Sequence, residues 1–537
     1  MLEREVTRQT SRFEMYGGND IHEPDPKSIE EKTSPLSSFL PEDPVDPNMV
    51  TWDGPEDPAN PQNWSTAWRW WITLVCAIMT INVTFASSAP TSAVFAIQAQ
   101  FQTSSEVSYL VTTVFLLGYT FGPFLWGPGS ELIGRRPVFW LTMTLYTVFH
   151  IGQARAQNMQ TLLVTRFLCG FFAVAPLTNC GGVIADIWSA VGRGPATSVF
   201  TLCVFLGTTI APIACGYIVE SSLGWRWVFW IMMIFAGTCT TIMFIMLPET
   251  YVPVLLAKKA TRLRKEDPVK YMDLYAEHER QDWSFKGVLH RTILRPFHML
   301  MVEPILILIT IYVSLVYGVL YALFEAFPII FMEQRGFTIA QDGLVFIGIG
   351  IGTTLGAFIN ALTCRHYPQL VVKWKGFPPP EERLFAGMIG GPVLVIGIFW
   401  LGWTGNYPSV SWVAPAVSTI FIGASIALIF MSCLGYLVDT YVMYSASAFS
   451  VNTIIRSAVA SSFPLFTVQM FHNLHINWAC TMLGLIALLL APVPFLFYKY
   501  GPRIRQKSKF APCVDLKVAK LLAVEEAAQK TSDHEKV

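Results

Sequence analysis

The chain has 537 residues, 53% of them hydrophobic and 14% charged, and its 37 basic side chains balance 37 acidic ones. Soluble domains carry about 25% charged residues, so this composition excludes an ordinary soluble enzyme and indicates a membrane protein. With no net charge there is no electrostatic case for nucleic acid as a partner.

Residues 1–66 are polar and rich in Pro, Asp and Glu, with no apolar core of a secretory signal. They are expected to form a disordered cytoplasmic tail, leaving the first spanning helix to direct insertion. Apolar stretches near the roughly 20 residues that cross a bilayer then recur. Twelve are expected. In the first half they run from about Trp71 to Val94, Val107 to Trp126, Val138 to Gly152, Thr161 to Trp188, Ala196 to Val219 and Trp227 to Leu247. The second half holds Ile305 to Phe331, Leu344 to Cys364, Leu384 to Trp403, Val413 to Val438, Ala446 to Met470 and Asn477 to Phe497.

Between Pro248 and Pro304 lies a long polar segment carrying Lys258, Lys259, Arg262, Arg264, Lys265 and Lys270. Beside spanning helices such a run marks the cytoplasmic side rather than a nucleic-acid patch. The expected divisions are a six-helix bundle over 67–247, a cytoplasmic loop over 248–302, a second bundle over 303–498 and a cytoplasmic tail over 499–537. Arg135, Arg136, Arg193, Arg365, Lys373, Lys375 and Arg383 fall in the loops on that same side, and Lys499, Arg503, Arg505, Lys507 and Lys509 open the carboxy-terminal tail. Both termini are therefore expected inside, with Arg155, Arg226 and Arg335 as exceptions on the outer side. Asn63-Trp64-Ser65 and Asn82-Val83-Thr84 match a glycosylation pattern, but lie in the cytoplasmic tail and a spanning helix. The ten cysteines fall mostly in apolar segments, without CxxC pairs or His clusters at metal-ligand spacing, and read as packing residues.

After the second stretch comes Gly127-Pro128-Gly129-Ser130-Glu131-Leu132-Ile133-Gly134-Arg135-Arg136-Pro137. Glycines permit tight turning and close helix approach, and an acid followed by two arginines supplies ion pairs that can form or break. This segment resembles the signature loop of the major facilitator superfamily, with Gly129 where the pattern usually has Leu. The resemblance implies an all-α polytopic fold of twelve transmembrane helices in two six-helix pseudo-symmetric bundles, with alternating access to a central site. It also implies that Glu131 faces a helix end of the opposite bundle, supported by Arg135 and Arg136. Asp186, at the inner end of the fourth helix, is expected to pair with Arg193 or the loop arginines.

Arg166 and Gly170 are similar to the family's fourth-helix motif. An arginine at that depth costs about 2.5–3.5 kcal/mol on insertion scales unless paired or solvated; the alternative is that it snorkels at the outer end. Gly207, Pro212 and Gly216 resemble the antiporter motif of the fifth helix, with Ala211 and Cys215 in place of two glycines. Simple helix packing is the competing explanation. Asp57 to Trp64, Gly224-Trp225-Arg226-Trp227, Leu247-Pro248-Glu249-Thr250, Tyr317 to Tyr321 and Phe324 to Pro328 resemble the fungal twelve-span drug:proton antiporters, a similarity running from Asp57 to Gly501. That resemblance implies a multidrug or toxin efflux transporter.

Tyr317, Tyr321 and Glu325 recur every four residues and so share one face of the seventh helix. Two rings and a carboxylate suit amphipathic or cationic ligands, and the acid could carry a proton; structural packing is the alternative. Phe324 and the asparagines Asn82, Asn360 and Asn452 are further cavity candidates, and Arg456 places a second cation deep in the eleventh helix. No GxxxxGK[ST] sequence is present, so the proton gradient is the expected energy source, with no cofactor or metal. The expected partners are a small-molecule substrate, protons and the lipid bilayer of the plasma membrane, with the chain functioning as a monomer. A polyamine or nutrient transporter, or a non-transporting sensor, would use the same fold.

Overall fold

The computed structural model describes residues 46, 48–54, 56–189, 192–280 and 283–535. Among these residues, nine helices are long and apolar enough to cross a membrane, or ten if one bent pair is counted as a span. Packing supplies two more passes. Ser445–Arg505 doubles back at His475, whose φ of 61° lies outside the helical region. Arg135–Ala154 packs lengthwise against two neighbouring spans, although its Arg, Thr, Tyr, His and Gln side chains make it too polar to stand out by composition.

The twelve are α1 Thr66–Ser88, α2 Ser105–Phe121, α3 Arg135–Ala154, α4 Met159–Ile187, α5 Arg193–Glu220, α6 Arg226–Met246, α7 Pro304–Phe327, α8 Ile339–Thr363, α9 Phe385–Gly405, α10 Val413–Tyr441, α11 over 445–474 and α12 over 476–490. Helix α2 continues as Pro123–Ile133 after a bend of 41°, because Pro123 cannot donate to the preceding turn. The starts of α1, α2, α4 and α8 carry side-chain caps. Thr161 N–H donates to Asn158 at 2.8 Å, and Thr338 with Gln341 forms a reciprocal capping box at α8. The outward faces are apolar: Leu125, Leu141, Val164, Ile234, Ile245, Phe358 and Leu489 are exposed. Exposed aliphatic surface on this scale requires a bilayer.

In the first half α1 packs on α5, α4 on α2 and α3, and α6 on α3; in the second, α10 packs on α8 and α9, and α7 on α11. The halves meet where α5 lies along α8 and α2 along α11. At the α5–α8 seam, a methyl group on Gly343 would stand 2.5 Å from the Pro212 carbonyl, so only glycine permits this approach.

One end of the bundle carries the loops. The tail was expected to be disordered through residue 66; residues 1–45 lie outside the described residues, and the rest differs from that expectation. Val50 and Trp52 pack on Val252, Leu256 and Ala260 of the linker helix Val252–Glu266. Lys259 Nζ reaches Asp53 at 2.6 Å and the Thr51 carbonyl at 3.0 Å. After α12, the helix Val493–Arg505 ends in a segment that folds back over the second half. Val514 and Val518 pack on Trp374 and Phe377, and Arg505 binds Glu381 and Asp515. At the opposite, far end, Arg335 donates to the carbonyls of Ile330, Gly405, Thr404 and Tyr407 at 2.8–3.1 Å. Arg226 likewise donates to Gln100 and the Ala156 carbonyl. These two cations sit away from the basic end because helix C-termini need donors there.

Candidate functional site

Helix α7 is almost wholly enclosed along its middle, with Tyr317, Tyr321, Phe324 and Glu325 all buried. Tyr321 Oη donates to Ser87 Oγ of α1 at 2.9 Å, joining the two halves, and lies 3.4 Å from Tyr317 Oη. Phe324 stacks on Phe346 of α8 with ring centroids 4.9 Å apart. Tyr317 stands 5.8 Å from Phe430 of α10, which in turn meets Phe205 of α5 at 5.1 Å. The three positions spaced by four do share one enclosed face, and its walls come from both halves.

Asn82 enters this interior from α1; its carbonyl accepts from Tyr146 at 3.3 Å, while its buried Oδ1 has no partner. Asn452 Nδ2 donates to Thr310 at 3.2 Å, joining α11 to α7, and its Oδ1 is also unpartnered. Asn360 departs from the expectation. It lies in the last turn of α8 at the loop-bearing end, with its side chain near Cys364 of the same helix. It is not part of the central group.

Arg166 does not snorkel. It is fully buried, with Nε 3.1 Å from the Val111 carbonyl and Nη1 3.0 Å from that of Ala86, and its guanidinium lies over Phe115 at 4.2 Å. Its charge is thus solvated by backbone dipoles. Arg456 is also buried, but it touches rings: Tyr317 at 4.7 Å and Phe430 at 5.2 Å. Glu325 is 3% exposed and its Oε1 has no partner. In the fifth helix, a methyl group on Gly207 would meet Ile81 and Thr84 of α1, and one on Gly216 would lie 2.9 Å from the Ile339 carbonyl. Gly207, Pro212 and Gly216 therefore line close contacts of α5 with α1 and α8.

At the loop-bearing end, Gly134 adopts φ 101° and breaks the chain between the α2 extension and α3. Arg135 Nε pairs with Asp186 at 3.3 Å and Nη1 donates to Ser130 at 2.8 Å, while the guanidinium covers Tyr251 at 4.9 Å. Arg136 lies over Trp140. A methyl group on Gly127 would meet nothing within 4 Å, and one on Gly129 would meet only Val138 at 3.9 Å. Glu131 has no ion pair among the described residues. The extension that bears it packs against α11 and the linker, where its charge opposes the downward pull of burial on Arg295.

Five residues here were given no site role from sequence: Glu249, Arg383, Asp439, Tyr367 and Asp342. Glu249 accepts from the Arg135 N–H at 2.9 Å and the Arg136 N–H at 3.3 Å, capping α3. The second half repeats the Arg–acid pair: Arg383 Nε meets Asp439 at 2.8 Å and the guanidinium covers Tyr367 at 3.7 Å. Asp342, in the first turn of α8, is 7% exposed with Oδ1 unpartnered. The repeat of an Arg at the start of the third helix of each half and an acid at the end of the fourth was the available signal for the second pair.

Residues 71–464 match the family described as the Major Facilitator Superfamily. The chain is 42% identical over 474 residues to a citrinin biosynthesis cluster MFS transporter of Monascus ruber, covering 87% of this chain and 93% of that protein. It is 41% identical over 486 residues to an MFS-type efflux pump of Trichophyton rubrum, covering 90% and 80%. A multidrug transporter of this superfamily from Aspergillus fumigatus is 38% identical over 89% of this chain and 78% of its own length. Among solved structures, the proton:xylose symporter XylE superposes with a TM-score of 0.61 at 17% identity, covering 81% of this chain and 96% of that one. The human organic anion transporter MFSD10 gives 0.56 at 15%, covering 79% and 99%. With two six-helix halves, paired arginine–acid contacts and these relatives, the chain belongs to the Major Facilitator Superfamily and is a multi-pass membrane transporter, not an enzyme.

Proposed function

We propose that this protein exports amphipathic small molecules, drugs or the cell's own toxic metabolites, across the plasma membrane in exchange for protons. The observation that carries this reading is the enclosed seam between the halves, where Tyr321 meets Ser87 and aromatic walls from α5, α7, α8 and α10 converge. A carrier that rocks about a central site needs walls from both halves and contacts that can open at one end at a time. Relatives at about 40% identity over nearly the whole chain, named as efflux pumps and metabolite-cluster transporters, support the direction of transport. The basic loops support placing both termini in the cytoplasm. The chain acts as a monomer, because each half finds its partner within the same polypeptide.

Glu325 is the proton carrier in this scheme: a buried carboxyl with an unpartnered oxygen changes its charge when the seam wets and dries. Asp186 and Asp439, each paired to an arginine, are latches instead. The test is efflux of a panel of fungicides, polyamines and fungal metabolites from cells expressing the wild type or Glu325→Gln, with and without a protonophore. Gradient-dependent export that Glu325→Gln abolishes at normal surface expression is expected. Increased uptake, or export indifferent to the gradient, would overturn the proposal.

A further inference from the structure

The two buried intramembrane arginines are provided for differently. Arg166 donates from Nε and Nη1 to the Val111 and Ala86 carbonyls of neighbouring helices, with only Nη2 unpartnered. Arg456, only 5% exposed, has no ion pair and no hydrogen bond among the described residues, and its buried Nε is without a partner. Its guanidinium lies against the faces of Tyr317 and Phe430. Ring faces attract a cation but leave the in-plane N–H donors free.

Among the described residues no acid pairs with it. Glu325 stands eight residues beyond Tyr317 on α7, about 12 Å along the helix axis, and no carboxylate lies within ion-pair distance of Arg456 among the described residues. Hydroxyl and amide groups without partners accompany the cation instead: Asn452 Oδ1 one turn before it, Ser457 Oγ beside it, and Ser314 Oγ on α7 one turn before Tyr317. A planar guanidinium fork is matched to a two-oxygen anion. Rings beside it are matched to a flat apolar body.

We propose that the central site receives an aromatic anion, a carboxylate or acidic phenol, whose charge docks on Arg456 and whose ring lies against Tyr317, Tyr321 and Phe430. This deepens the exporter reading and rests on it for the location of the site, and of the amphipathic or cationic ligands expected from sequence it favours an amphipathic anion over a cation. The orphaned arginine supplies the charge, and Tyr321, bonded to Ser87, ties the bound ligand to the opposite half.

The experiment measures binding of three naphthalene probes to the purified full-length protein in lipid nanodiscs by tryptophan fluorescence: 2-naphthoic acid, its neutral amide, and 2-naphthylmethylamine. The acid is expected to bind at least tenfold more tightly than the amide, and the amine more weakly still. Arg456→Gln should bring acid and amide within threefold of each other while the amide's affinity stays near wild type. If that variant does not fold, Arg456→Lys, which keeps the charge and loses the fork, should narrow the acid's advantage by threefold or more. Equal binding of acid and amide, preference for the amine, no binding of the acid, or an unchanged preference in both variants would each overturn the proposal. Acid selectivity without gradient-driven efflux in cells would remove the exporter reading and leave this one standing; efflux of neutral compounds without acid selectivity would do the reverse.

Discussion

Replacing Arg505 by alanine tests whether the segment after α12 is held by charge. Arg505 donates to Glu381 at 2.9 and 2.9 Å and to Asp515 at 2.7 and 2.8 Å, and the three side chains are 1%, 7% and 7% exposed. Removing one partner from such a buried network costs about 3–5 kcal/mol, because the remaining carboxylates are left uncompensated. At ~1.4 kcal/mol per factor of ten, the undocked state of the segment rises roughly 150- to 4000-fold. Fast local opening makes proteolysis follow that population. Trypsin cleavage at the partly buried Lys517 of the detergent-solubilised protein, followed by mass spectrometry, should accelerate by two orders of magnitude or more. A rate within threefold of wild type would refute the assignment. Arg505→Lys, which keeps the charge without the fork, should fall between the two.

Further outcomes follow from the same geometry. Asp186→Asn and Asp439→Asn should each lower thermal stability by about 1.5–3 kcal/mol, the usual value of a hydrogen bond to a charged group. Adding Arg135→Gln to the first should cost less than the sum, which a double-mutant cycle would read. Gly343→Val drives a side chain into the Pro212 carbonyl, so it should cost about 1–3 kcal/mol and slow efflux at normal surface expression. Asp46 accepts from Tyr275 Oη at 2.7 Å, and that bond holds its carboxyl below the usual value of 3.8. A carboxylate lowered in the folded state stabilises docking above its unfolded pKa and loses that contribution as pH falls through its folded value. Docking of the tail on the linker should therefore be constant from pH 5 to 8, and Tyr275→Phe should speed hydrogen exchange at the Val50 amide within that range.

Much of the architecture was legible because a bilayer demands long apolar runs, and α7 and α10 announce themselves on that ground alone. Helix ends were less so. The bend at Pro123 and the reversal at His475 are set by local backbone geometry, and α3 hides its polar side chains against α4 and α6 rather than from water. In the site, spacing found the shared face of Tyr317, Tyr321 and Glu325, and the basic loop motif led to Arg135 and Asp186. It could not show that Glu249, more than a hundred residues away, caps the helix that Arg135 begins. Nor could it distinguish Arg166 from Arg456: both are lone cations in apolar runs, and only packing reveals that one is met by two carbonyls as well as a ring and the other by rings.

The contact between the amino-terminal stretch and the linker bears on splitting the gene. Because Val50 pairs with Tyr275 and Lys259 with Asp53, the linker up to residue 280 is fastened to the first half rather than suspended between the two. Arg295 meanwhile reaches Ser447 at 3.0 Å and fastens the linker's last part to the second half. The linker between residues 280 and 295 thus joins two already anchored pieces. Two fragments cut there and expressed together should reassemble into a working carrier, whereas a cut at residue 250 would strand the Val252–Glu266 helix on the wrong fragment.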